Sequence, residues 1–231
     1  MQKIPSVLPV SLPIVGSSER FPVRRVYCVG RNYADHAKEM GHSGREPPFF
    51  FLKPADALFP ILPGEHRKWP YPSVTQDLHH EVELVVAIGK GGKDIPPERA
   101  SDHIWGYAIG LDMTRRDLQA AMKKESKPWC IAKGFDHSAP IGPLVPVETT
   151  GLLNAGEIQL VINGQTRQAG DLQDLIWNIP EVIAHLSKAW ELQPGDLIFT
   201  GTPAGVGPVL PGDQLTASAH GVGSISLSVV G

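Results

Sequence analysis

DLHHEVELVVAIG, residues 77–89, opens polar and closes as an unbroken run of aliphatic and β-branched side chains. Such a run, only a few residues long and stopped by glycine, reads as a strand that becomes buried on both faces. Around it the chain repeats this theme. Arg25–Gly30 (RVYCVG), Phe49–Leu52 and Trp105–Asp112 are further strand candidates, and Glu157–Asn163 alternates apolar with polar. Asn163-Gly164 is a two-residue hairpin signal leading into Gln165–Gln168. Pro-Gly-Asp turns at 194–196 and 211–213 each feed a strand, and Ser224–Val230 alternates as the last one. Helical patterns are few and short: Asn32–Met40 with Asn32 as its cap, Asp94–Ser101, Arg115–Lys124, and a segment from Pro180 to about Trp190. The 24 glycines and 22 prolines are scattered between these stretches, as expected for many strands and turns. The reading is an α+β, mainly β fold. Residues 1–24 carry several prolines and little periodicity, and read as a loose or strand-forming arm.

Composition narrows the function classes. With 231 residues, 42% of them hydrophobic, the chain can bury a real core. A formal net charge of −3 and the absence of a Lys/Arg cluster argue against a nucleic-acid partner. No apolar run approaches the roughly 18 residues needed to span a bilayer. The expectation is a cytoplasmic protein acting on a small molecule. The two cysteines, Cys28 and Cys130, are too few and too far apart for a disulfide framework or a thiolate metal site, and both are expected to be buried and reduced.

The chemistry-bearing residues begin inside the opening stretch. On a strand, Glu81 and Glu83 project from one face while Val82 points to the other. Two carboxylates crowded in a partly buried place repel until one is protonated or a cation binds. Asp112, ending the strand that starts at Trp105, is a natural third member, and an all-oxygen set favours Mg²⁺, Mn²⁺ or Ca²⁺ over zinc. The same spacing also fits a solvated edge strand with Asp112 capping the next helix. His79 and His80 are not expected to be ligands. His36 and Glu39 are three apart and share a helix face, so the carboxylate can orient the imidazole; an ordinary exposed pair has the same spacing. Arg116 and Gln119 stand in the same relation just past Asp112, where a guanidinium can reach a ligand carboxylate. Lys53 and Lys133 each end an apolar stretch. Thr200–Gly207 (TGTPAGVG) is not a phosphate loop, because no helix pattern and no Gly-Lys-Ser/Thr follows, but its backbone can approach a small ligand.

Taken in order, Gly30-Arg31-Asn32-Tyr33 with His36 and Glu39, then His80-Glu81-Val82-Glu83, Leu111-Asp112-Met113-Thr114, Lys133 and Gly201-Thr202-Pro203 resemble the fumarylacetoacetate hydrolase family over about residues 24–231. Pro47-Pro48-Phe49-Phe50-Phe51 and Lys53-Pro54-Ala55-Asp56-Ala57 look most like its bacterial fumarylpyruvate hydrolases, or acylpyruvases. The resemblance implies a mixed β-roll with short helices and a lid helix, an arm over residues 1–23 ahead of one catalytic domain over 24–231, and a homodimer. It implies Glu81, Glu83 and Asp112 as ligands of Mg²⁺ or Mn²⁺, a His36–Glu39 lid dyad, an active-site Lys133, and substrate contacts at Arg116, Gln119 and Thr202. Arg31 and Lys53 match further motif positions and are implied as substrate contacts, with Arg116, Arg31 or Lys53 taking the second carboxylate of the substrate. The implied reaction is hydrolysis of a carbon–carbon bond in a small keto-diacid of aromatic catabolism. His36 would activate water for attack on the acyl carbonyl and Lys133 would stabilise the oxyanion. Oxaloacetate decarboxylation, isomerisation of a hydroxymuconate-type diacid and a non-catalytic metal module stand as alternatives.

Overall fold

A computed structural model of the chain describes residues 9–33 and 45–231. The expected lid segment, with His36 and Glu39, lies mostly outside them. At its start, the Asn32 side chain is held inside the fold. It is fully buried, its Nδ2 donates to the carbonyls of Trp177 and Thr200 at 2.9 and 2.8 Å, and its Oδ1 accepts from Trp177 N–H at 2.8 Å.

The centre is a mixed sheet running Phe49–Lys53, Val26–Gly30, Leu197–Phe199, Val82–Ile88, Ile104–Leu111, Ala139–Ile141, Leu58–Pro60, with Val145–Pro146 also paired to Ile104–Leu111. Every residue of Val82–Ile88 is buried, as its apolar run requires. Alternation then divides its side chains between two cores. Val82, Leu84, Val86 and Ile88 enter the larger one, while Val85 and Ala87 enter the smaller. Glu83 and Glu81 continue the smaller core's face toward the end of the strand.

The larger core is closed by a second sheet, ordered Gln165–Asp171, Glu157–Ile162, Gln214–Ala219, Gly223–Val230, His66–Pro70. Its inward residues include Ile158, Leu160, Leu215, Leu227 and the fully buried Trp69. The Asn163-Gly164 hairpin forms with both residues at positive φ, 52° and 77°, the geometry that matches strand twist. Helix Ile179–Ala189 is fixed by a capping box between Asn178 and Glu181 and lays Val182, Ile183 and Leu186 on the same core.

Two local expectations change, and the arm takes its strand-forming alternative. The segment read as a helix over 94–101 is a 3-10 turn at Pro97–His103, because the prolines at 96 and 97 delay its start. Cys28 is buried but Cys130 is exposed, since it opens a four-residue helix at the surface. The arm forms a small hairpin, Ser11–Pro13 with Arg20–Pro22, which presses Leu12 and Phe21 into the smaller core. No helix among the described residues is long and apolar enough to cross a membrane.

Candidate metal centre and active site

Antiparallel register places the carboxylates. Val82 pairs with Leu111 and Glu83 with Gly110, so one step further Glu81 stands opposite Asp112, whose N–H donates to the Glu81 carbonyl at 2.8 Å. Gly110 leaves room beside Glu83: a Cβ there would lie 2.8 Å from the Phe199 ring and 2.9 Å from Val85. Glu81, Glu83 and Asp112 are all buried, and one oxygen from each falls within 4.8 Å of the others. The solvated edge strand that the sequence also allowed is therefore not what forms.

Buried cations surround the carboxylates. Lys133 Nζ lies 2.6 Å from Glu81 Oε2 and 2.8 Å from Asp112 Oδ2, and Arg116 Nη2 lies 2.5 Å from Glu81 Oε1. Lys53 Nζ is 2.8 Å from Asp112 Oδ1, but its hydrogen bonds go to the Met113 and Lys133 carbonyls. Asp112 Oδ1 thus has a charged neighbour and, among the described residues, no hydrogen bond. Burial alone would raise Glu81, yet Lys133 and Arg116 outweigh it and hold the carboxyl below the ordinary range. Glu83 goes the other way: burial, then Asp112 and Glu81, push it well above. Among the described residues its one hydrogen bond comes from Gly201 N–H at 2.8 Å. Gly201 makes this approach at φ 105°, where a Cβ would strike Asn32 at 2.6 Å. Lys133 is raised, the Asp112 and Glu81 charges overcoming its burial.

A hard divalent cation fits this set. The donors are all carboxylate oxygens, one of them lacks a hydrogen bond, and Glu83 is a buried carboxyl with no ion pair of its own among the described residues. Mg²⁺ or Mn²⁺ would be held by Glu81, Glu83 and Asp112.

Glu81 and Glu83 open onto a pocket. Arg31, Arg116, Gln119, Lys123, Lys133 and Thr202 line it, together with an aromatic wall of Phe49, Phe51 and Trp129. Arg116 Nη1 donates to Gln119 Oε1 at 2.6 Å, so the predicted pair acts as one unit on its helix. Arg31, at φ 57°, lies over the Phe49 ring at 5.3 Å. Phe49 in turn fills the space above Gly30, where a Cβ would come within 2.0 Å of the ring. Lys53 is not brought to this pocket. It sits behind Asp112 with no side-chain exposure, as counter-charge to the carboxylate. Sequence reading missed Lys123, Trp129 and Gln168. Lys123 and Trp129 carry no motif, and Gln168 lies on a distant strand that only folding brings to Thr202.

Residues 25–230 match the family described as fumarylacetoacetate (FAA) hydrolase, C-terminal. The chain belongs to the fumarylacetoacetate hydrolase family. Its members are enzymes, including hydrolases, decarboxylases and tautomerases. A solved fumarylpyruvate hydrolase from Pseudomonas aeruginosa, in complex with Mn²⁺ and pyruvate, is 54% identical, with a TM-score of 0.97 over 100% of this chain and 99% of that one. A mitochondrial oxaloacetate tautomerase from Mus musculus is 44% identical over 89% of this chain and 91% of its own. A mitochondrial oxaloacetate decarboxylase from Dictyostelium discoideum is 42% identical over 86% and 90%. The mainly β architecture and the divalent-metal carboxylate centre are therefore those of the fumarylacetoacetate hydrolase fold.

Proposed function

We propose that the protein is an acylpyruvate hydrolase that converts fumarylpyruvate and water to fumarate and pyruvate. The observation that carries the proposal is the charge of the site. With all three ionised, the carboxylates balance Lys53, Lys133 and Arg116, so a bound divalent cation would leave the cluster with two positive charges in a buried place. Arg31 and Lys123 add to that field from the pocket wall. A dianionic substrate offsets the two charges the cation brings. The aromatic wall of Phe49, Phe51 and Trp129 suits a flat unsaturated spacer between the two carboxylates.

A bound Mg²⁺ or Mn²⁺ supplies Lewis acidity at the keto-acid end of the substrate. The chain's own residues do the rest. Lys133, positively charged at the centre, stabilises the oxyanion that develops at the attacked acyl carbon. Thr202 and the Arg116–Gln119 pair orient the keto-acid, and Arg31 with Lys123 draws the distal carboxylate. His36, oriented by Glu39, takes the proton from water; this assignment rests on the motif resemblance. A homodimer in the cytoplasm belongs to the same proposal.

Oxaloacetate chemistry is the second reading, favoured by the mouse and Dictyostelium relatives. Oxaloacetate is also a dianion but needs no water and no spacer-length wall. The test uses chelator-stripped protein with and without Mg²⁺ or Mn²⁺, following fumarylpyruvate loss with fumarate and pyruvate formation, and oxaloacetate beside it. Metal-dependent cleavage of fumarylpyruvate, much faster than turnover of oxaloacetate, is expected. Turnover of oxaloacetate alone would transfer the assignment to the second reading.

A further inference from the structure

Strand Leu78–His80, the Glu81–Glu83 segment and the glycine-rich loop meet at Gln168, a side chain only 1% exposed. Its Oε1 accepts from Val82 N–H at 3.1 Å and pairs with His80 Nδ1 at 2.8 Å. Its Nε2 donates to Thr202 Oγ1 at 2.8 Å and to the Pro203 carbonyl at 2.9 Å. An amide can be turned end for end without changing its shape, so its orientation must come from its partners. Two of the four have fixed polarity. A backbone N–H only donates and a carbonyl only accepts, so the flipped amide would set donor against donor at Val82 and acceptor against acceptor at Pro203. The other two partners follow: His80 carries its hydrogen on Nδ1, and Thr202 Oγ1 is an acceptor.

A hydroxyl has one hydrogen. With its oxygen accepting from Gln168, Thr202 keeps its O–H for another partner, and Thr202 lines the pocket that holds Glu81, Glu83 and Arg116. We propose that Gln168 is a positioning residue that presets the Thr202 hydroxyl as a donor to a ligand carboxylate, making this edge of the pocket selective for groups that accept. The proposal rests on reading the pocket as a keto-acid site. A free hydroxyl can turn to give or take a hydrogen bond and discriminates poorly; a preset one disfavours a group that can only donate, such as an ammonium, at that place.

Pyruvate binding to the Mn²⁺-loaded protein, measured by titration calorimetry, tests this separately from turnover. Thr202→Val is expected to weaken binding about 10- to 100-fold, the loss of one hydrogen bond to a charged group, and Thr202→Ser to retain most of the affinity. Gln168→Glu places two acceptor oxygens where the amide stood, so Thr202 donates to it and no longer to the ligand. Its loss should match that of Thr202→Val, and adding Thr202→Val to it should change binding by less than about two-fold. Gln168→Met breaks all four bonds but leaves the hydroxyl free to turn, and should cost less than Gln168→Glu. A merely structural glutamine predicts the opposite order. That order, or pyruvate affinity unmoved by Thr202→Val, would overturn the proposal. Should Gln168→Glu not fold, the cycle of Gln168→Met with Thr202→Val decides: losses that simply multiply refute the relay. A protein that binds pyruvate in this pattern yet leaves fumarylpyruvate intact would sink the hydrolase reading and keep the relay.

Discussion

Glu83 differs from the other two carboxylates in what surrounds it. Glu81 and Asp112 each have ammonium or guanidinium neighbours, whereas Glu83 has the Gly201 N–H and two nearby anions. Its charge is therefore a cost in the metal-free protein and a source of affinity when a cation binds. Two expectations follow for thermal unfolding. At about a hundred-fold excess over its dissociation constant, Mn²⁺ should stabilise the parent by about 2.7 kcal/mol. For a chain of this length that is about 5–10 °C. Glu83→Gln should lose most of that increment while melting, metal-free, no lower than the metal-free parent. A metal-free variant markedly less stable than its parent would mean that the Glu83 charge already has a cation in the apo protein, contrary to the geometry. Lys53 teaches a related point at the same scale. Its motif position suggested a substrate contact, but position in a motif does not say on which side of Asp112 the amine lies. Only packing decides that.

At the scale of elements, legibility followed the local strength of the signal. Val82–Ile88 was readable because seven apolar or paired-acid positions in strand spacing have no other stable arrangement, and the same alternation gave the Glu81/Glu83 face. The Asn163-Gly164 turn and the Pro180 helix were readable because their chemistry is local. Leu58–Pro60, His66–Pro70 and Ala139–Ile141 were not. They are short and proline-bearing, and they owe their extended form to partners far along the chain, as in the parallel pairing of His66–Pro70 with Gly223–Val230. For the site the division is similar. The triad was visible as a spacing, whereas Gln168 acquires its role only when two sheets meet. The capping box of helix Ile179–Ala189 offers a test of the local side of this argument. Asn178 accepts from Glu181 N–H at 3.0 Å and Glu181 Oε2 accepts from Asn178 N–H at 3.0 Å. Asn178→Ala should cost about 1 kcal/mol in urea unfolding, with pyruvate affinity unchanged. A much larger loss would show that Asn178 serves the tertiary fold beyond its helix.

For the whole molecule, the question is what the N-terminal arm contributes, since the family match begins at residue 25. The hairpin of Ser11–Pro13 and Arg20–Pro22 is more than an appendage. Leu12 is fully buried and Phe21 is 6% exposed, both in the core that also contains Val85, Ala87, Ala108 and Phe199. That core lies on the Glu83 face of the central strand, and Phe199 ends the strand that leads to Gly201, the Glu83 hydrogen-bond donor. The arm is also tied by backbone, with Leu144 N–H donating to Pro13 and Val15 N–H to Leu144, both at 2.9 Å. A side chain with this burial is part of the cooperative unit. Leu12→Ala should therefore destabilise the chain by about 2–5 kcal/mol, the range for a buried leucine whose cavity cannot collapse. It should do so in a single urea transition. A separate early transition, or a loss below about 0.5 kcal/mol, the size of an ordinary surface substitution, would identify the arm as an independent segment resting on a core already complete. In the cooperative case, packing beneath the Glu81–Glu83 strand loosens with the arm. Mn²⁺ affinity should then fall together with stability, although Leu12 touches none of the carboxylates.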